Sequence, residues 1–236
     1  DKSKNKLYLI SVKNSSTNRP VRSFVRRKGR ITSSQKSALK NLLPKYGAVY
    51  SSDMGQLSSS LLGNSEFPLI VDIGFGDGEL LVATAEDHAE SNFIGIEVYD
   101  AGIGHCLKLI EQRKVNNLKL ISGDAVEVMK FGISNNSINQ INLFFPDPWP
   151  KKRHHKRRII NNEFILLMSK KLAENGIVNI STDWEDYADQ IGDLFSKRGE
   201  FLEKSSTARN VSTKFEKRGI SLGHDIFNFC YKLISQ

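Results

Sequence analysis

From residue 69 onward, short apolar runs alternate with longer stretches whose apolar residues recur at helical spacing. The runs predict strands at 69–73, 93–98, 118–122, 138–145 and 177–182, with two more near 201–207 and at 226–234. The stretches between them predict helices at 78–90, 100–115, 125–132, 160–173 and 184–198. Strands and helices that alternate in this way form parallel βαβ units. The predicted fold class is therefore α/β, a doubly wound, mostly parallel seven-stranded sheet with helices on both faces.

The first fifty residues show a different pattern. Residues 1–30 are expected to be extended or flexible, and 32–46 predict a short helix that begins at Thr32 or a neighbouring serine and breaks near Pro44. Residues 51–65 are rich in serine and glycine and predict a loop. We expect residues 1–50 to form a basic, partly flexible extension and 51–236 to form the main domain.

Positive charge is concentrated in two segments of a chain whose net charge is +8. Residues 19–30 and 151–158 each hold six basic residues and no acid, and the remaining chain has 22 basic against 26 acidic residues. Basic patches on a mildly acidic body are typical of proteins that hold phosphate backbones. The alternative is two solvated charge runs, and neither run has the amphipathic pattern of a membrane-surface helix.

Composition excludes several classes of protein. A chain with 39% hydrophobic residues is too apolar to be disordered, and no apolar run approaches the ~18 residues of a membrane helix. Cys106 and Cys230 lie far apart, which predicts a reduced, cytosolic protein rather than a disulfide framework. No cluster of Cys, His or Asp has metal-ligand spacing, so no metal site is predicted.

The residues after the first strand favour a cationic ligand. In doubly wound sheets ligands bind at the carboxyl ends of strands, and here the first strand ends in DIGFGDGE (72–79). In a dinucleotide fingerprint the third glycine would come one residue later than Gly78 does. Asp72, Asp77 and Glu79 make the loop unsuited to a pyrophosphate and better suited to a positively charged cofactor. The alternative is an ordinary glycine-rich turn.

Two further acids follow the next two strands. Glu97 ends the second and can accept hydrogen bonds from both hydroxyls of a ribose. Asp124 follows the third and can accept a hydrogen bond from an adenine amino group. Acids after three consecutive strands, with a glycine loop at the first, resemble the class I S-adenosylmethionine-dependent methyltransferases. That resemblance implies a Rossmann-like methyltransferase sheet.

The fourth strand leads into a proline-rich loop, FPDPWP (145–150). Each residue there is a proline or precedes one, which predicts a stiff loop with the pre-proline residues extended. It would present Asp147 and Trp149 at the sheet edge, although a purely structural turn is the alternative. The basic run KKRHHKRR (151–158) follows at once, and His154 and His155 are predicted to belong to its phosphate-binding surface.

Two later segments remain open. Asp183 follows the fifth strand, and its spacing favours an N-cap of the next helix over a place in the pocket. The segment TKFEKRG (213–219) lies between the last two strands, and its spacing alone does not exclude a surface loop.

The chain resembles bacterial tRNA (guanine-N7)-methyltransferases over nearly all of its length. The resemblance rests on RSFVRRKGRIT (22–32), DIGFGDGE, GDAVEV (123–128), PDPWPKKRHHKRR (146–158), STDW (181–184) and TKFEKRG. It implies S-adenosylmethionine as cofactor, bound by Asp72, Gly74, Gly76, Glu97, Asp124 and Asp147, and it implies that Asp147 is the catalytic residue, an active-site carboxylate. It implies substrate binding by Lys151, Asp183, Thr213, Lys214, Phe215 and Glu216, and RNA contacts by Arg153, His154, His155, Lys156, Arg157 and Arg158. Many relatives have Glu where this chain has Asp72.

The implied reaction needs no strong general base, because guanine N7 carries a free lone pair and no proton. Positioning and electrostatics should therefore supply most of the rate. We assign Asp147 to holding the guanine, through its N1–H and N2 donors, and to stabilising positive charge on the ring. Trp149 is expected to stack on the exposed base. The variable-loop guanine of tRNA is implied by the resemblance alone.

Two alternatives stay open at this point. A nicotinamide-dependent dehydrogenase could use the glycine loop, although the early third glycine, the acids and the basic run argue against it. A non-catalytic RNA-binding module could have a decayed cofactor site, although intact acids at three strand ends argue against that. The sequence does not indicate an oligomeric state.

Overall fold

The computed structural model describes residues 22–24, 30–205 and 213–234. Its sheet consists of β1 (Gly47–Val49), β2 (Leu69–Ile73), β3 (Asn92–Glu97), β4 (Leu118–Ser122), β5 (Ile138–Phe144), β6 (Leu172–Thr182), β7 (Phe201–Lys204) and β8 (Phe227–Leu233). The strand order is β1-β4-β3-β2-β5-β6-β8-β7. Strand β8 runs antiparallel to both neighbours, and the other pairs are parallel. The predicted mostly parallel α/β sheet is confirmed.

The sheet has eight strands in the described residues, where seven were predicted. The additional strand, β1, pairs with β4 at one edge, with Gly47 opposite Leu120. A Cβ on Gly47 would lie 1.8 Å from the Leu120 carbonyl oxygen, so only glycine permits this approach. Three residues are too few to produce a period-two pattern, which is why the sequence did not predict this strand.

The helices are α1 (Ser33–Asn41), α2 (Leu43–Tyr46), α3 (Ser59–Leu62), α4 (Glu79–Asp87), α5 (Asp100–Arg113), α6 (Ala125–Glu127), α7 (Asn162–Lys171), α8 (Glu185–Ser196) and α9 (Lys214–Ser221). Thr32, one of the two predicted alternatives for the start of the helix, is the N-cap of α1. It forms a reciprocal capping box with Gln35. Gln35 also donates to the Ala101 carbonyl at 3.0 Å, so α1 packs on α5. The predicted extension therefore contributes both a helix and a strand to the main body.

The buried apolar residues form two clusters. Each cluster lies between one face of the sheet and the helices that cover that face. One contains Val71, Ile94 and Ile141, which are fully buried, and continues into α7 and α8. The other contains Phe93 and Leu120 and continues into α1, α4 and α5. Strands that bury side chains on both faces read as continuous apolar runs, which is the pattern that predicted them.

Two segments differ from their predictions. Residues 51–65, predicted as loop, contain a short 3₁₀ helix (Ser52–Met54) and α3. The polar segment 213–219, for which a surface loop stayed open, begins α9, with Thr213 and Glu216 forming a capping box. The expectation that residues 1–30 are extended or flexible lies largely outside the described residues, as does the end of the strand predicted near 201–207.

Candidate active site

The loop between β2 and α4 is built on glycines in left-handed conformations. Gly74 has φ +74° and Gly78 has φ +81°. A Cβ on Gly78 would lie 2.4 Å from Cys106 Sγ of α5, so the turn and the helix packing both require glycine. Asp77 Oδ1 accepts from the Glu79 amide at 3.2 Å at the start of α4. A Cβ on Gly74 would meet no atom within 4 Å, so the backbone of the loop is not covered by side chains at that residue.

A cavity of about 420 Å³ lies against this loop and is rich in acids. Asp72, Asp77 and Glu79 line one part of it, and Asp72 is buried. The start of α9 lines another part, where Lys214 Nζ lies 2.6 Å from Asp77 Oδ2. The hydrogen bond to Asp77 raises the pKa of Lys214 above its usual value. The first cavity is therefore bounded by the glycine loop on one side and α9 on the other.

A second cavity of about 160 Å³ adjoins the first, and the two share Gly74, Gly76 and Tyr99. Its wall includes Glu97 and Asp147. Glu97 is buried and accepts from the amides of Val98 at 2.6 Å, Tyr99 at 3.1 Å and Gly76 at 3.1 Å. Burial raises the pKa of Glu97, the three amides oppose that shift, and the charge of Asp147 adds to it. The backbone thus orients the Glu97 carboxylate.

Asp124 lies beside the second cavity. Its side chain accepts from the Val126 amide at 3.0 Å and caps α6. Its neighbours Gly123 and Ala125 line the cavity. The structure therefore brings Asp72 and Glu97 to two adjoining cavities at one sheet edge, with Asp124 between two lining residues.

The proline loop is held differently from the prediction. Phe145 and Trp149 both precede prolines, yet their φ angles are +54° and +46°, so the expectation of extended residues there is wrong. Long-range contacts hold this conformation. The Phe145 amide donates to the Ser181 carbonyl at 2.8 Å, and Trp149 Nε1 donates to the Ser23 carbonyl at 3.1 Å. Asp147, in the middle of the loop, lines the second cavity.

The basic run forms a 3₁₀ helix (Lys152–Arg157) that follows Lys151. Lys151, Arg153 and Lys156 are exposed. The Arg157 guanidinium lies 5.1 Å from the Trp149 ring centroid, and the His154 ring meets Trp149 edge-on at 5.9 Å. Desolvation and the neighbouring cations lower the pKa of His154. This surface is therefore cationic and directly joined to the proline loop.

Arg158 is an exception within the basic run. It is 2% exposed, and its Nε donates to the Pro148 carbonyl at 2.8 Å. Its remaining nitrogens contact Asp186, Gln190 and His155. The prediction that Arg158 contacts RNA is wrong in this structure, because its donors are used inside the protein.

Asp183 does not cap α8, so the preference for that role is wrong. The N-cap position is Trp184, which makes no side-chain capping bond. Asp183 Oδ2 instead lies 3.3 Å from His224 Nδ1. A Cβ on Gly219 would lie 3.1 Å from the same oxygen, so α9 packs against Asp183 through a glycine.

The four predicted substrate residues of 213–216 lie at the start of α9. Thr213 Oγ1 accepts from the Glu216 amide at 3.0 Å, and Glu216 Oε2 accepts from the Thr213 amide at 3.3 Å. Thr213 and Lys214 line the first cavity, and Phe215 lies in the first turn of the helix. The capping box therefore fixes this turn at the cavity mouth.

Comparisons with known proteins show the family to which this chain belongs. A family model described as a putative methyltransferase matches residues 66–229. The tRNA (guanine-N(7)-)-methyltransferase of Nitrosococcus oceani is 42% identical over 217 residues, which is 91% of each chain. The enzyme of the same name from Buchnera aphidicola subsp. Baizongia pistaciae is 43% identical over 223 residues, 92% of this chain and 91% of that one. The chain belongs to the tRNA (guanine-N7)-methyltransferase family.

A solved structure supports the fold of this family member. The aminoglycoside resistance methyltransferase NpmB1 superposes with a TM-score of 0.51 at 13% identity, over 76% of this chain and 95% of that one. At such low identity the likeness concerns the fold alone. Within the described ranges, no helix has the length and apolar character to cross a membrane, and no group of three or more His, Cys, Asp or Glu is placed to bind a metal ion.

The structure also shows site residues that the sequence analysis of this methyltransferase missed. Tyr99 lines both cavities, and Arg218 lines the first. Arg218 lies four residues after Lys214, so a helical interpretation of 213–219 would have placed both on one face. Ser23 and Phe24 line the second cavity. Both lie in RSFVRRKGRIT (22–32), but hydropathy and spacing did not place that segment at the pocket, because the bond from Trp149 to Ser23 spans 126 residues.

Proposed function

We propose that this chain transfers a methyl group from S-adenosylmethionine to N7 of a guanine in tRNA. Membership of the tRNA (guanine-N7)-methyltransferase family, at 42% identity over 91% of both chains, carries the proposal. The acid-lined cavities beside an exposed basic helix support it. We further propose that residues 51–236 form the methyltransferase domain and that the protein acts in the cytoplasm.

The two adjoining cavities fit this cofactor. A Cβ on Gly74 would meet no atom within 4 Å, so the shared wall leaves space for a ligand at the backbone. Asp72, with the backbone of Gly74 and Gly76, would hold the methionine end, Glu97 the ribose and Asp124 the adenine. When bound, S-adenosylmethionine supplies an electrophilic methyl group on a sulfonium cation. The surrounding carboxylates suit that charge better than they suit a pyrophosphate.

Asp147 would hold the target guanine beside the cofactor. Its place in the second cavity and its electrostatic effect on Glu97 support a role where cofactor and substrate meet. The carboxylate would accept from the guanine N1–H and N2 donors and stabilise the positive charge that develops on the ring. Asp147 need not remove a proton, because N7 carries none.

The remaining predicted residues divide by position. Lys151, Asp183 and residues Thr213 to Glu216 would bind the substrate nucleotide, since they lie after the proline loop or on and against α9. Arg153, His154, His155, Lys156 and Arg157 would contact the RNA backbone. We propose the variable-loop guanine as the target, as the resemblance implies.

The test is methyl transfer from radiolabelled S-adenosylmethionine to an unmodified tRNA transcript, followed by chain scission selective for 7-methylguanosine. A transcript made with 7-deazaguanosine lacks the acceptor nitrogen and is the matched control. Label in the normal transcript, with scission at one guanine, is the expected result. Equal labelling of both transcripts, or none of either with active cofactor present, would refute the proposed function.

A further inference from the structure

The proline loop needs external support. Trp149 has φ +46°, a conformation that an aromatic residue adopts only when surrounding contacts enforce it. Two side-chain bonds hold this part of the loop. Trp149 Nε1 donates to the Ser23 carbonyl, and the carbonyl of the preceding residue, Pro148, accepts from Arg158.

The Arg158 guanidinium connects three elements. Its Nε donates to the Pro148 carbonyl at 2.8 Å, in the proline loop. Nη1 donates to Gln190 Oε1 at 2.6 Å and Nη2 donates to Asp186, both on α8. Nη2 also lies 3.2 Å from His155 Nε2, in the basic 3₁₀ helix. A single buried cation thus joins the loop that carries Asp147 to the helix that carries the exposed basic residues.

An arginine suits this place for a physical reason. Its planar fork bonds several acceptors in fixed directions, whereas a lysine offers one point charge. The group also lies 4.7 Å from the Tyr187 ring centroid, which gives it a cation–π contact. The hydrogen bond from Arg158 lowers the pKa of the Asp186 carboxyl. These contacts therefore suit Arg158 to holding neighbouring groups in place rather than to neutralising RNA phosphates.

We propose that Arg158 is a positioning residue that fixes the Pro148 carbonyl and thereby the Asp147 carboxylate and the Trp149 ring. The inference rests on the proposed function, since it names what orients that site. Arg158 acts on the rate of transfer through the loop, whereas Arg153 and Lys156, which are exposed, act on RNA affinity.

The first test compares Arg158→Lys with a matched control, Arg198→Lys. Arg198 also donates to a backbone carbonyl, that of Asn162 at 3.2 Å, and lies 3.6 Å from Glu200, but none of these residues belongs to the proline loop. Arg158→Lys should lower kcat at saturating tRNA by about ten- to a hundredfold, because the loop is misplaced. The salt dependence of tRNA binding should not change, because the charge is kept. An unchanged kcat in Arg158→Lys would overturn the inference.

A second variant guards against misfolding of the first. Asp186→Asn alters a side chain that is 62% exposed, so it tests the network from its surface end. We expect a smaller fall in kcat with KM for tRNA unchanged or lower. An unchanged kcat would contradict positioning by this network.

A spectroscopic measurement separates this inference from the proposed function. The chain has two tryptophans, so Trp184→Phe leaves Trp149 as the reporter. Adding Arg158→Lys should increase acrylamide quenching of Trp149, whereas adding Arg198→Lys should not, with neither cofactor nor tRNA present. Equal quenching would refute the positioning role even if methyl transfer is intact. Absent methyl transfer by the unmodified protein would refute only the proposed function.

Discussion

Two parts of the site are built in different ways: the proposed cofactor edge, which is formed by the residues after β2, β3 and β4, and the proposed substrate edge, which is formed by the proline loop (145–150) after β5. At the cofactor edge, most bonds to the carboxylates come from the next two residues: Glu97 accepts from Val98 and Tyr99, and Asp124 from Val126, while Gly76, 21 residues away, is the third donor to Glu97. At the substrate edge, the contacts join distant parts of the chain, as Trp149 does with Ser23 across 126 residues. Most bonds to the carboxylates of the cofactor edge thus come from residues close in sequence, whereas the proline loop of the substrate edge depends on segments that are distant in sequence. The two edges should therefore respond differently to substitution.

The largest effect is expected at the substrate edge. Asp147→Ala should lower kcat by about 10²- to 10³-fold, because it removes the group that we propose orients and stabilises the charged guanine. Affinity for S-adenosylhomocysteine should stay nearly unchanged, since Asp72, Glu97 and Asp124 remain. Rapid-quench methyl transfer and equilibrium titration measure the two quantities. Asp189→Ala removes an exposed acid of α8 as the control. Normal turnover by Asp147→Ala would contradict the assignment.

A substitution that adds a side chain to the glycine loop should affect the cofactor edge instead. Gly78→Ala places a Cβ 2.4 Å from Cys106 Sγ at φ +81°, which should cost about 1–3 kcal/mol of unfolding free energy. Thermal melting should show a lower Tm, and affinity for S-adenosylhomocysteine should fall with it. Gly192→Ala in α8 has no atom within 4 Å of its new Cβ and should be neutral or slightly stabilising. Equal melting of the two variants would mean that the loop tolerates a side chain.

The same division explains what the sequence could predict. The strands, the glycine loop and the acids Asp72, Glu97 and Asp124 follow from hydropathy and local chemistry, and the structure places them at one edge. Arg158 looked like its cationic neighbours, because no pattern within KKRHHKRR (151–158) reveals that one of them is buried against α8.

Two other differences have the same origin. The spacing of Asp183 favoured a helix cap, but its partner His224 lies 41 residues away. Proline chemistry predicted extended residues before each proline, but contacts to Ser23 and Ser181 hold Trp149 and Phe145 at positive φ. Local rules fail where tertiary contacts impose another conformation, as they do at Phe145 and Trp149 on either side of Asp147.

The exposed basic helix offers a test with a moderate effect. Arg153→Gln combined with Lys156→Gln should reduce the slope of log K for tRNA against log salt by about two units, one for each phosphate that the protein no longer neutralises. Filter binding across a salt series measures this slope. Lys170→Gln combined with Lys197→Gln removes two exposed charges elsewhere and is the matched control. If the two double variants reduce the slope equally, tRNA binding depends on the net charge of the protein rather than on the residues of this helix.

The smallest effect is expected at the ion pair between α9 and the glycine loop. Lys214 of α9 pairs with Asp77 of the glycine loop at 2.6 Å, but its side chain is 72% exposed, so the pair should contribute at most about 1 kcal/mol. Lys214→Met should weaken S-adenosylhomocysteine binding a few-fold at low salt, because α9 then closes the first cavity less firmly. Salt screens an exposed pair, so the difference should shrink at high salt.

The pH dependence of this pair has a defined sign. Asp77 raises the pKa of Lys214, so the stabilisation is complete below the ordinary lysine pKa and disappears only as pH rises through the raised value. Across neutral pH the difference between the unmodified protein and Lys214→Met should therefore be constant. Lys217→Met removes an exposed lysine from the same helix and is the control. A loss of affinity that is equal in both variants, or undiminished by salt, would show that α9 does not close the cavity through this ion pair.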